Sequence, residues 1–223
     1  MDLTSAVVLV TGANRGLGRQ FATQLLERGA KVYAGARDPG SIDLPGVVPV
    51  RIDVTDPASV EQAAKAAPDV TLLINNAGSS TGQPLVGGDL DLIRLEMETH
   101  YFGTLRVVRE FVPIIEANGG GSILNVLSVL SWYHPGALGA YNAAKAAGWA
   151  LTNSVRDQLA PRGIAVSALH VGYMDTDMAA SVPAEQKIDP ALVAKQALDG
   201  VEAGLAEILA DDLTRGVKAG LAG

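Results

Sequence analysis

Apolar, β-branched runs alternate with helical patterns along almost the whole chain. The first run, Ala6-Val7-Val8-Leu9-Val10, has no polar alternation, the pattern of a parallel strand covered on both faces. A Gly-rich turn follows, then a predicted helix from about Gly16 to Arg28, stopped by Gly29. Lys31 to Gly35 predicts a second strand, and Val47 to Ile52 a third. Asp56-Pro57 opens the next helix, with a capping residue followed by proline in the first turn. Val70 to Ile74 predicts a fourth strand. A long helical pattern then runs from about Asp89 to Glu116 and ends at the glycines of 119–121. Ser122 to Leu127 is a fifth strand, about Ala140 to Ala160 a second long helix, and Ile164 to Leu169 a sixth strand. A helix after Asp189-Pro190 and a short strand near Ile208-Leu209 close the pattern.

Strand–helix alternation with continuous apolar strands predicts an α/β fold. Its sheet is doubly wound, with about seven parallel strands and helices on both faces, because βαβ crossovers cover a parallel sheet on each side. No linker, repeat or low-complexity tract interrupts the 223 residues, so a single domain over 1–223 is expected. In such sheets ligands bind beyond the carboxyl ends of the strands. The residues that follow each strand are therefore the candidates for chemistry.

Net charge changes this picture by exclusion. At −7, the chain lacks the basic stripe that a nucleic-acid surface needs. The N-terminus enters a strand without a basic n-region or long apolar segment, and no apolar stretch reaches the roughly 18 residues of a spanning helix. With no cysteine for disulfide or thiolate chemistry, a cytoplasmic protein without membrane or nucleic-acid partners is expected.

After the first strand stands Thr11-Gly12-Ala13-Asn14-Arg15-Gly16-Leu17-Gly18. Glycines let the backbone turn sharply and approach a pyrophosphate, and the helix N-terminus offers N–H donors. The spacing differs from Gly-x-Gly-x-x-Gly, and by itself it also fits a Gly-rich turn that holds nothing. The second strand ends in Gly35-Ala36-Arg37-Asp38. An acid at this place takes a ribose 2′-hydroxyl, whereas arginine suits a 2′-phosphate. Ala36 followed by Arg37 points to NADP(H), with Arg15 a second cation over the same phosphate.

Tyr141 and Lys145 stand one helical turn apart, so the phenol and the ammonium share a face. A neighbouring cation favours phenolate and is expected to bring the group down from about 10 toward useful acid/base strength. Taken alone, the pair also fits a half-buried tyrosine beside a solvated lysine.

Together, Thr-Gly-x-x-x-Gly-x-Gly at 11–18, Asn75-Asn76-Ala77-Gly78, Ser128 and the Tyr141/Lys145 pair resemble the short-chain dehydrogenase/reductase family. Ser128 precedes Tyr141 by thirteen residues, the separation usual in that family. The resemblance covers essentially the whole chain. It implies a Rossmann-like fold and an oxidoreductase moving a hydride between NADP(H) and a small or medium carbonyl or secondary alcohol. Tyr141 is then the general acid/base, Ser128 holds the substrate oxygen, and Lys145 binds the nicotinamide ribose. Gly12, Asn14, Arg15, Gly16, Leu17 and Gly18 form the phosphate loop, and Arg37 meets the 2′-phosphate. Asp53 and Val54 cradle adenine, while Asn76, Ala77 and Gly78 pack along the cofactor. Gly172, Met174 and Thr176 belong to the stretch that holds the carboxamide. Ser131 and Ser122 are the competing serines, ten residues before Tyr141 and at the start of the strand respectively.

Two positions depart from the family. His100 stands where asparagine is common, and Val171-Gly172 replaces Pro-Gly. His100 is read as a fourth catalytic candidate, working neutral to support a helix kink and relay protons. A merely packed histidine is the alternative. The segment 173–188 is expected to form a substrate lid, with Trp132, Tyr133 and His134 lining the opposite wall. The three histidines fall in separate segments without metal-ligand spacing, so no metal is expected. Small residues on the two long helices, and the family resemblance, imply a homodimer or homotetramer. The rival reading is an NADP(H)-binding redox-sensing or scaffold protein with little turnover.

Overall fold

The fold was described from a computed structural model, covering residues 1–221. Seven strands, Val7–Thr11 (β1), Lys31–Ala36 (β2), Val48–Arg51 (β3), Leu72–Asn75 (β4), Gly121–Val126 (β5), Ile164–His170 (β6) and Glu207–Leu209 (β7), form one parallel sheet. Their order, β3-β2-β1-β4-β5-β6-β7, reverses direction between β1 and β4, which opens a crevice at their carboxyl ends.

Seven α-helices surround the sheet: Gly16–Glu27 (α1), Pro57–Ala66 (α2), Leu90–Met97 (α3), Thr104–Ala117 (α4), Gly139–Leu159 (α5), Pro190–Glu202 (α6) and Asp212–Gly220 (α7). On one face, Leu17, Phe21 and Leu25 of α1 pack with Val193 and Leu198 of α6. On the other, Val60 of α2, Phe111 and Ile115 of α4 and Leu151 and Val155 of α5 form a second core. Phe21 and Phe111 are each 0% exposed, and truncating either to alanine would cost about 3–5 kcal/mol. Both Asp-Pro helix starts form as the sequence predicts. Asp56 accepts from Ala58 N–H at 3.0 Å and Asp189 from Ala191 N–H at 2.8 Å, with proline in the first turn.

Two predicted elements differ from the structure. The long helix expected over 89–116 is α3 and α4 joined by a π-helical turn, Glu98–Gly103, where the kink was expected at His100; Gly103 at its end lies where a Cβ would come within 2.9 Å of Val54. Secondly, the chain does not close on β7. Asp211 caps α7, accepting from Thr214 N–H at 2.8 Å, and the helix packs against the turn that follows β5.

Candidate active site

The crevice is built where β1 and β4 end side by side. Thr11 closes β1, and its hydroxyl accepts from the backbone N–H groups of Asn76 and Ala77 at 2.9 and 3.0 Å. The Asn76 side-chain amide donates back to the Thr11 and Gly12 carbonyls, at 2.9 and 3.1 Å. Asn76 thus holds the Gly-rich turn against β4. Gly12 and Gly16 have φ of +67° and +52°, in the left-handed region that disfavours a side chain. A Cβ on Gly18 would lie 2.1 Å from the Gly12 carbonyl oxygen, so the turn closes only with glycine there. No side chain caps α1 at Arg15, which leaves first-turn N–H groups without a side-chain acceptor. Leu17 is buried beneath the turn, and Asn14 donates to the Ser41 hydroxyl at 3.2 Å.

Along the adenosine side, Ala36 is buried at the end of β2 and Arg37 is exposed beyond it. Arg37 lies close enough to act on Asp53. Burial pushes that carboxyl up, but hydrogen bonds from Thr55 and the charges of Arg37 and Arg51 outweigh it and lower its pKa. Val54, next in the chain, is buried. Arg15, expected beside Arg37, pairs instead with Asp177 at 3.1 Å, both groups exposed.

The end of β5 and the first turns of α5 bring the reacting groups together. Ser128 follows β5 in extended backbone, accepting from Leu130 N–H at 3.1 Å and lying 3.4 Å from the Val171 carbonyl. Tyr141 and Lys145 lie on the first two turns of α5. Lys145 Nζ donates to the Val126 carbonyl at 2.9 Å and stands 5.5 Å from the Tyr141 ring centroid. Of the three serines near β5, Ser128 is the one whose hydroxyl acts on the Tyr141 phenol. Ser131 is buried with its hydroxyl unpartnered, and Ser122 opens β5 at the far end of the strand.

The lowering of Tyr141 expected from its lysine neighbour is overturned. Burial, with a smaller contribution from Glu96, pushes the phenol well above its usual range, and the hydrogen bond to Ser128 offsets this only in part. Burial likewise draws Lys145 down to about 8, opposed by Glu96. Glu96 was missed by the sequence reading. It is 0% exposed, although it sits among the charged residues of α3. His100, in the π-helical turn, meets the Tyr141 ring edge-on with centroids 5.2 Å apart. Its pKa is lowered by burial and by Lys145, against the pull of Glu96. Gly78 lies beside it, where a Cβ would come within 2.8 Å of His100 Cε1.

Gly172 N–H donates to Asp211 at 2.7 Å, which anchors the segment after β6. The segment 173–188 is stapled at its base. Met174 bridges to Ile188, and Lys187 pairs with Asp175 at 2.7 Å. Thr176 packs beside Gly16, so this segment reaches the phosphate loop. Trp132 does not line the opposite wall. It is buried, stacked on His170 at 3.8 Å between centroids, and set edge-on to Trp149. The Lys218 ammonium of α7 lies 4.5 Å from its ring, so α7 draws this indole away from the crevice. Tyr133 and His134 are exposed. His170 is a packed residue, pushed down to about 4 chiefly by burial, with Nδ1 3.3 Å from the Ser128 carbonyl oxygen.

Residues 6–187 match the family model described as short chain dehydrogenase. A short-chain dehydrogenase from Burkholderia cenocepacia, solved in complex with NADP, superposes with a TM-score of 0.96 at 40% identity, covering 100% of this chain and 95% of that one. A family structure from Burkholderia phymatum in complex with NAD has a TM-score of 0.88 at 25% identity, covering 98% and 93%. The NADPH carbonyl reductase 2 of Sus scrofa is 33% identical over 198 residues, 84% of this chain and 80% of its own. An uncharacterized oxidoreductase of Schizosaccharomyces pombe is 31% identical over 189 residues, or 81% of this chain, which spans only 65% of that protein's length. This chain belongs to the short-chain dehydrogenase/reductase family and is an oxidoreductase of that kind. None of its described helices is long and apolar enough to cross a membrane.

Proposed function

We propose that the protein transfers a hydride between NADP(H) and a small or medium carbonyl or secondary alcohol, with Tyr141 as general acid in reduction and general base in oxidation. The observation that carries this reading is the grouping of buried Ser128 and Lys145 with the half-buried Tyr141 at the carboxyl end of β5 and the start of α5. A phenol held above its usual range stays protonated at neutral pH and has the proton that carbonyl reduction requires. Ser128 supplies a hydrogen bond to the substrate oxygen as negative charge develops there. Lys145, charged below its value of about 8, places a cation beside the Tyr141 ring and would bind the nicotinamide ribose.

The residues of the crevice fit the cofactor. The turn at Gly12, Gly16 and Gly18 is tight against Asn76, Ala77 and Thr176 and would not close with side chains, and the uncapped start of α1 suits a pyrophosphate. When bound, NADP(H) supplies or accepts the hydride. Ala36 leaves room beside the ribose and Arg37 offers a charge-assisted contact to a 2′-phosphate. Asp53 and Val54 would flank the adenine, Gly78 the nicotinamide side, and Gly172, Met174 and Thr176 the carboxamide. The NADP bound by the Burkholderia cenocepacia relative supports the phosphorylated cofactor. The half-exposed Tyr173 and Met178 give the 173–188 segment an apolar edge toward substrate.

The experiment is a panel of ketones and aldehydes assayed with NADPH and with NADH, followed by nicotinamide absorbance. Turnover with NADPH supports the reading. Tight NADPH binding with a silent panel would favour the rival, a redox-sensing or scaffold protein. Assembly into two or four copies through α4 and α5 belongs to the same reading. The exposed Phe102 beside α4 and exposed Ala143 and Ala150 on α5 support it, and sedimentation at the mass of one chain would refute it.

A further inference from the structure

Glu96 is out of reach of solvent, and a carboxylate so placed persists only where partners replace its water. Three do so. Thr81 N–H donates to Oε1, the Ser79 hydroxyl to Oε2 at 3.3 Å, and His100 Nε2 lies 3.2 Å from Oε2. No lysine or arginine among the described residues touches it. The loop after β4 and the π-helical turn therefore close over one negative charge, and His100 links it to the Tyr141 ring.

His100 connects that charge to the reacting groups. Its Nε2 is 2.8 Å from the Ser79 carbonyl oxygen and 3.3 Å from the Ser79 N–H. It cannot donate to one and accept from the other, and the shorter contact sets the tautomer. A carbonyl only accepts, so the proton is on Nε2, where the Glu96 carboxylate also faces it. The other ring nitrogen, Nδ1, then has a free lone pair on the Gly78 side. The imidazole edge is held against Tyr141 at an interplanar angle of 81°, with Lys145 beyond.

We propose that Glu96 is a positioning residue for the reaction: its carboxylate locks the His100 ring and tautomer against Tyr141. The proposal rests on the reading of Tyr141 as the acid/base. The charges agree with the geometry. Burial pushes Glu96 up, but the hydrogen bonds from His100 and Thr81 outweigh it and keep the group ionised. Glu96 raises both Lys145 and Tyr141. The groups facing this cluster are Glu96 from α3, His100 from the π-helical turn, Tyr141 and Lys145 from α5, Ser128 after β5 and Tyr173 after β6. Neutralising Glu96 removes a term that raises both titrations, so both fall.

The test compares Glu96→Gln, His100→Asn and the double variant in the full chain. Readouts are kcat against pH for alcohol oxidation, and NADPH affinity by fluorescence. Glu96→Gln should lower kcat by up to about 10²-fold through misplacement, leave NADPH affinity unchanged and move the pH profile as a whole to lower pH. In the His100→Asn background the loss of kcat should shrink, since the ring is gone, while the pH shift remains, since the charge acts through space. Glu96→Asp should restore the profile's position. Nitrogen NMR on the wild-type protein, with only three histidines to assign, should find His100 neutral with its proton on Nε2. This arm needs neither turnover nor a folded variant. Wild-type kcat and pH profile in Glu96→Gln, or an Nδ1-protonated or charged His100 at neutral pH, would overturn the proposal. A wild-type protein with no turnover would sink the reading of Tyr141, and the NMR result would still decide how Glu96 holds His100.

Discussion

Lys145 stands 5.5 Å from the centre of the Tyr141 ring, yet the two groups are shifted apart rather than toward a shared value. Burial disfavours charge on both, raising the phenol and lowering the ammonium. The consequence for stability follows from linkage. Between about 8 and the ordinary 10.5, the unfolded chain keeps the lysine proton that the folded chain has released. Stability from this group therefore rises with pH across that window, with a slope of up to about 1.4 kcal/mol per pH unit. Above about 10 the raised tyrosine works in the opposite sense, because the folded chain then holds the extra proton. Urea midpoints for wild type should climb between pH 8 and 9.5, and Lys145→Met should flatten that climb. An equal slope in both proteins would place the titrating group elsewhere.

The two serines after β5 should separate in kinetics. Ser128→Ala should lose rate on the order of 10²–10³, the effect of removing one donor to a developing oxyanion. Ser131 is buried with no partner for its hydroxyl, so Ser131→Ala should turn over as wild type does. Should Ser131→Ala be the slower enzyme, the roles of the two serines are reversed.

Cofactor choice should follow the end of β2. Preference for NADPH over NADH should fall in Arg37→Glu and fall further in Ala36→Asp, through loss of a charge-assisted contact and gain of repulsion. Ratios of kcat/KM for the two cofactors measure this. A wild-type enzyme that favours NADH contradicts it.

Gly18→Ala probes the phosphate loop differently. The added Cβ would meet the Gly12 carbonyl and the Asn76 amide, at 2.1 and 2.5 Å. Backbone must move, so NADPH affinity should fall and the melting temperature with it. Calorimetry showing both unchanged would mean that the loop has room that its geometry denies.

Much of this was readable along the chain, for local reasons. Uninterrupted runs such as Val7 to Val10 mark strands covered on both faces, and the Asp-Pro pairs at 56–57 and 189–190 mark helix starts through their own caps. Tyr141 and Lys145 are one turn apart on one helix, so their pairing is also local. What was not readable depends on tertiary contact. Nothing near His100 breaks helical periodicity, so the pattern runs straight through 98–103; the family resemblance marks a kink at His100, and its π-helical form is set by tertiary packing. Glu96 has a charged neighbour two residues away on each side, Arg94 and Glu98, and reads as a solvated face until Ser79 and Thr81 close over it. The sequence pattern closes at the short strand near Ile208-Leu209 although α7 beyond it is capped by Asp211, and without α7 Trp132 reads as a pocket wall instead of a partner for Lys218. The direction of the Tyr141 shift was misjudged for the same reason, since spacing reveals a neighbour and not the depth of burial.

The central claim is that the Tyr141 hydroxyl moves the proton that accompanies hydride transfer. Tyr141→Phe keeps the ring, its contact with His100 and the packing of α5, and removes only that oxygen. Single-turnover carbonyl reduction with NADPH, measured alongside NADPH affinity, tests it most directly. The affinity should match wild type while the rate falls by about 10²–10⁴, the range of a lost general acid. A phenylalanine variant that reduces carbonyls at the wild-type rate would contradict the account.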